Sequence, residues 1–183
     1  MALSATLFRF EIGISDVDRG VYESLALRVA QHPSETDLYL VTRVLARVLE
    51  HRDGLAFGKG LSDPDAAPIS ALRDAGIIAL WVDIGHPKPE RLHKASKRAD
   101  EVCVYTHRAP ASLLADLASA KIHRADEIRV VALEPDFIAD LAERLSRINR
   151  WDMLRSDGVL YVTVDDETLT TTPLIHEGRA ALE

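Results

Sequence analysis

Asp83 closes the run Ile77-Ile78-Ala79-Leu80-Trp81-Val82-Asp83-Ile84-Gly85, which is otherwise apolar on both alternating faces. Period-two alternation puts its carboxylate on the face of Trp81 and Ala79, at the carboxyl end of a strand. A carboxylate there needs compensation, because burying an unpaired charge is prohibitive. A divalent metal, a lysine or backbone donors would each serve, and ligands gather at the carboxyl ends of strands in open α/β sheets. A simpler role is also open, in which Asp83 caps the turn or helix that follows.

The next segment supplies cations. Residues 88 to 98 hold Lys88, Arg91, Lys94, Lys97 and Arg98 against the lone acid Glu90, while Leu92, Ala95 and Ala99 recur at helical spacing as a buried stripe. At about 100° per residue, Arg91, Lys94 and Arg98 line one flank beside that stripe. Such a patch beside a strand-end acid is the local footprint that phosphate-backbone binding requires. It is equally the pattern of a solvated face braced by a Glu90 to Lys94 pair. Asp83 with His86 or His93 would instead make an acid–base pair for a small-molecule enzyme. Cys103, between Val102 and Val104, reads as inert packing.

The 183 residues are 47% hydrophobic and 28% charged, with one cysteine, which suits a single domain with a buried core and excludes a disulfide scaffold. The 22 Lys+Arg against 29 Asp+Glu give a formal charge of −7, so any nucleic-acid site must be local. Arg9 and Glu11 interrupt the apolar N-terminus, which is not a signal peptide, and the most apolar run stops at Asp83; a cytoplasmic protein with no membrane partner is expected. Phosphate-cradling Gly-rich loops, a dinucleotide fingerprint, a Gly-x-Ser-x-Gly elbow and a His-Glu-x-x-His pair are all missing from the sequence.

The elements that would position these residues follow from periodicity. Phe8, Phe10, Ile12 and Ile14 alternate with polar or small residues, as do Leu25, Leu27 and Val29, so the chain opens with a β-hairpin. An amphipathic helix is predicted from Glu35 to His51, with Ser34 as its N-cap and Glu35 and Asp37 in its first turn. A short strand at 55–57 and then irregular chain are expected up to Gly76, given Gly54, Gly58, Gly60, Pro64 and Pro68. Strands at 77–84, 101–106 and 127–133 alternate with helices at 89–99, 110–120 and 135–146, which implies parallel pairing through crossovers. Runs at 151–154, 159–164 and 168–174 read as an antiparallel meander.

The opening Met1-Ala2-Leu3-Ser4-Ala5-Thr6, the motif His32-Pro33-Ser34-Glu35-Thr36, the pair Gly60-Leu61, the strand Leu80 to Gly85 and the helix carrying Lys94-Ala95 together resemble the YaeQ family of small bacterial proteins, across essentially the whole chain. That family is similar in fold to the PD-(D/E)XK nucleases. The resemblance implies a mixed α/β, restriction-endonuclease-like domain spanning 1–183, with an N-terminal hairpin, central βαβ units and a C-terminal meander. It implies Glu35, Asp65 and Asp83 as ligands of Mg²⁺ or Mn²⁺, with Asp63 able to substitute for Asp65. Catalysis would rest on Glu35, Asp83 and Lys94, the lysine standing in for the one absent at Gly85. Arg91, Lys94 and Arg98 would contact nucleic acid, and His32, Ser34 and His86 would line the site. Pro68 stands where the family's central acid is expected, so Asp65 or Asp63 would have to supply it. The competing reading is a non-catalytic module that keeps the fold and binds nucleic acid or a protein. Glu35 and Asp83 are expected to face one cavity.

Overall fold

The computed structural model describes residues 4–59 and 63–177, arranged as two mixed sheets and four α-helices. Strands β1 (Thr6–Asp16) and β2 (Val21–Gln31) form the expected hairpin, paired from Thr6↔Gln31 to Asp16↔Val21. Strand β8 (Ile148–Ser156) then adds in parallel along β1, followed by β9 (Val159–Val164) and β10 (Glu167–Thr171), giving a five-stranded sheet ordered β10-β9-β8-β1-β2. Its two tight turns place Asp157 and Gly158, and Asp165 and Asp166, at positive φ, the geometry that matches the twist of hairpin strands.

The second sheet has six strands in the order β11-β7-β6-β5-β4-β3. Its centre is β5 (Ile77–Ile84), β6 (Ala99–Thr106) and β7 (Arg129–Ala132), mutually parallel as the crossovers require, with α2 (Pro89–Arg98) and α3 (Ala111–Ser119) as the connections. The mixed α/β architecture is as expected, with its strands divided between two sheets where the sequence implies one, and patterning explains the division. Strands β1, β8 and β9 are apolar on one face only and suit a sheet with one wet face, whereas β5 and β6 are apolar on both and need cover on each side.

That cover comes from α1 (Asp37–Leu49) and α4 (Pro135–Glu143) on one side and from α2 and α3 on the other. Every residue of α1 from Leu40 to Leu49 is buried, so the helix predicted to be amphipathic is enclosed on all sides between the two sheets. Its interior therefore holds Thr42, Arg43 and Arg47 as well as the leucines and valines. The N-cap is Thr36, whose hydroxyl accepts the Tyr39 N–H at 3.2 Å; Ser34 instead bonds the His32 ring at 2.6 Å, so Glu35 precedes the helix and does not lie in its first turn.

Two further boundaries differ from expectation. Residues predicted irregular include β4 (Ile69–Arg73), which joins β3 (Leu55–Phe57) to β5 by antiparallel pairing. The predicted strand 168–174 is two strands: Pro173, lacking an N–H, breaks the ladder, and β11 (Leu174–Glu177) crosses to pair antiparallel with β7.

Candidate functional site

Asp83 lies at the end of β5 on the α2 side of the sheet and is only 2% exposed. Its Oδ2 accepts the Trp81 indole N–H at 2.8 Å, the partner that two-residue alternation places on the same face. Its Oδ1 accepts from Arg91 Nε at 2.8 Å. The rest of that guanidinium is also engaged, donating to the carbonyls of Pro64 and Ala66 and stacking 5.5 Å over the Trp81 ring. Burial pushes the Asp83 carboxyl above its usual range, against the pull of Arg91 and Trp81. The partners of Asp83 are therefore an arginine and an indole N–H, where the sequence leads us to expect a metal, a lysine or backbone donors.

Arg98 repeats the arrangement one turn pair further along α2. It too stacks 5.5 Å over Trp81 and donates to the Asp65 carbonyl at 3.0 Å. Lys94 pairs with the Asp65 carboxylate at 3.5 Å, both side chains being largely exposed. So the flank Arg91, Lys94 and Arg98, read from the sequence as nucleic-acid contacts, is turned onto the 63–66 loop. The Glu90 to Lys94 pair does not form among the described residues.

Glu35 reaches the same end of the sheet from the α1 side. Arg43, eight residues on, holds its Oε2 at 3.0 Å and the Ala30 carbonyl at 2.8 Å. Burial lowers the Arg43 pKa while Glu35 supports its charge. Gln31 fixes the corner by donating to the Glu35 carbonyl at 3.2 Å and to Asp37 at 2.8 Å. Tyr39 stands between the two ion pairs, its phenol pushed up to about 12 by burial and then by the Glu35 charge.

The two acids line adjoining hollows and do not share one. The Asp83 hollow, about 210 Å³, is walled by Asp63, Pro64, Pro68, Pro87 and Arg91; the Glu35 hollow, about 270 Å³, by Ser34, Thr36, Gly85, His107 and Arg108. Tyr39, Ile84 and His86 belong to both. The separation follows from the pleat, since Asp83 points with Trp81 toward α2 whereas Ile84 and Glu35 lie on the α1 side. His86 is held by Asp116 at 2.9 Å and lies 3.4 Å from Ser112, both on α3. His107 bonds Thr42 at 3.1 Å, and burial with the neighbouring Arg108 lowers its pKa.

Asp65 and Lys94 lie outside both hollows, and Asp63, whose carboxylate accepts the Asp65 N–H at 3.1 Å, is the loop acid that reaches one. Gly60-Leu61 and residues 1–3 fall outside the described residues. Among the described residues no three His, Cys, Asp or Glu side chains stand close enough to share a cation, and the guanidiniums of Arg91 and Arg43 hold oxygens of Asp83 and Glu35 that Mg²⁺ or Mn²⁺ would need. The reading of the sequence missed Tyr39, Arg43, His107 and Arg108. Arg43 had a signal, an arginine on the apolar face set by Leu40, Val44 and Leu45. Cys103 is buried with its thiol pushed up, as inert packing requires.

A mixed sheet whose central strands run parallel and are covered on both faces, with hollows at their carboxyl ends, defines an α/β protein with its candidate site at a strand-end crevice. The YaeQ protein family model matches residues 1–173, and the chain belongs to that family. It is 36% identical to the YaeQ protein of Xanthomonas axonopodis pv. citri, whose crystal structure superposes with a TM-score of 0.88 over 96% of this chain and 99% of that one. The YaeQ protein from Pseudomonas syringae gives 28% identity and a TM-score of 0.87 over 96% and 97%. The Escherichia coli (strain K12) relative, Uncharacterized protein YaeQ, is 28% identical over 92% of this chain and 94% of its own length.

Proposed function

We propose that the chain is a non-catalytic nucleic-acid-binding module whose strand-end crevice receives a phosphate group. The observation that supports this is the occupation of both buried carboxylates, Asp83 by Arg91 and Glu35 by Arg43. With the acids neutralised, the polar groups left facing the Glu35 hollow are Arg108, His86, His107, Tyr39 and the hydroxyl-rich start of α1. Arg108 is exposed and makes no side-chain ion pair among the described residues. A helix N-terminus with an arginine beside it is a setting that favours an anion. In a chain of charge −7, such a local site is the form nucleic-acid binding must take.

The test is binding of fluorescent single- and double-stranded DNA and RNA, in chelator and with Mg²⁺ or Mn²⁺, with the same samples resolved on a denaturing gel. Binding in chelator that weakens with salt, with a shallower salt slope in Arg108→Ala and intact oligonucleotides throughout, is the expected result. Metal-dependent cleavage abolished by Asp83→Asn would replace the module with the nuclease. Absence of binding to every oligonucleotide would leave a protein partner as the reading to pursue.

A further inference from the structure

A hollow of about 700 Å³ lies elsewhere, on the outer face of the five-stranded sheet. Registers resolve it into two rows crossing the strands. One row is Tyr161, Leu154, Ser15 and Tyr22; the next is Thr168, Thr163, Asp152, Gly13 and Ser24. All nine side chains or positions line the hollow. The β1 position of each row is small, Ser15 and Gly13, and Tyr22 and Tyr161 stand on strands three spacings apart, or about 14 Å. The result is a trough with a phenol on each wall and a carboxylate in its floor.

Gly13 shapes that floor. A Cβ there would meet Asp152 Oδ1 at 2.8 Å, so the carboxylate lies over the space that the missing side chain leaves. Asp152 has no ion-pair or hydrogen-bond partner through its side chain among the described residues. The neighbouring cations are committed elsewhere: Arg150 to Glu11 at 2.9 Å, and Arg155 to Asp18 at 3.3 Å and Asp16 at 3.8 Å. The floor is thus an acid without a counter-ion, flanked by hydroxyls, with the aromatic row a two-residue step away, about 6.6 Å.

We propose that this trough docks an arginine side chain of a partner polypeptide. A guanidinium pairs with a carboxylate through two parallel N–H bonds while its flat face stacks on a phenol, and no other side chain meets both demands. Asp152 would take the fork, Tyr161 or Tyr22 the stack and Leu154 the aliphatic stem. The 14 Å between the tyrosines admits the peptide on either side of that residue. The site is independent of the strand-end crevice.

The test is an NMR titration of the ¹⁵N-labelled full chain with the peptide Gly-Ser-Arg-Ser-Gly and its counterparts carrying citrulline or lysine. Shifts confined to residues around 13, 15, 22, 152 and 161, with affinity falling at least tenfold, or ~1.4 kcal/mol, for citrulline and less for lysine, are expected. Asp152→Asn, isosteric and on an open face, should give the same loss, Tyr161→Leu a smaller one, and Asp152→Asn should leave oligonucleotide binding unchanged. Citrulline binding as well as arginine, or shifts scattered away from the trough, would overturn the proposal.

Discussion

Arg91 Nε lies 2.8 Å from Asp83 Oδ1, and the same guanidinium holds the carbonyls of Pro64 and Ala66. One side chain thereby neutralises the acid at the end of β5 and pins the loop that walls the crevice. Truncating it would leave a buried carboxylate and two carbonyls without their donor. Arg91→Ala should destabilise the fold by about 3–5 kcal/mol in urea unfolding. Asp83→Asn, which still accepts from Trp81, should cost less, and the double variant less than the sum of the two; additivity would show that the pair is not coupled.

Glu35 and Arg43 are a second test of the same physics. Their ion pair sits inside the β-to-α corner, where desolvation opposes the Coulomb gain. Arg43→Met, which removes the guanidinium but keeps the bulk, should destabilise by about 3 kcal/mol. Adding Glu35→Gln should recover part of that loss in the same unfolding assay.

Acid unfolding should report Glu50. Burial alone would raise its carboxyl, but Arg129, with Tyr105 and Arg52, overcomes this and holds it below the ordinary 4.5. The folded state therefore releases the proton more readily than the unfolded one. The stabilisation is full above pH 4.5 and disappears as pH falls through the lower folded value. Glu50→Gln should be less stable at neutral pH and lose less on acidification, measured as melting temperature against pH.

Alkaline pH tests Tyr39. Its phenol, raised from 10.0 to about 12, keeps its proton longer in the folded chain than in the unfolded one. Stability should therefore fall as pH climbs from about 10 towards 12. Tyr39→Phe should lessen that fall, read by fluorescence of the tryptophans at graded pH.

The strands and helices of the second sheet were legible because their apolar runs are long and their punctuation is strong, with Pro89 and Pro135 opening α2 and α4. The split into two sheets was less so, although the one-sided pattern of β1 and β8 and the two-sided pattern of β5 and β6 carry it. β4 was hidden by the glycines and prolines around it. In the site, Asp83 was legible from its cost of burial. Its partner was not, since Arg91 and Lys94 share a flank and only the path of the 63–66 loop decides which cation turns inward.

The parallel pairing of β1 with β8 sets a schedule for synthesis. Arg9 to Asp16 must wait for Ile148 to Arg155, so at ribosomal speeds the hairpin stands on the order of ten seconds with one edge unpaired. An unpaired strand edge invites a neighbouring chain. Two features cover that interval: α1 follows directly and takes the apolar row of Phe8, Phe10, Ile12 and Ile14, and the outward row carries Arg9 and Glu11. A nascent chain arrested before residue 148 lacks the strand that closes the edge, and those two charges are then what keeps one hairpin from annealing to the next on a polysome.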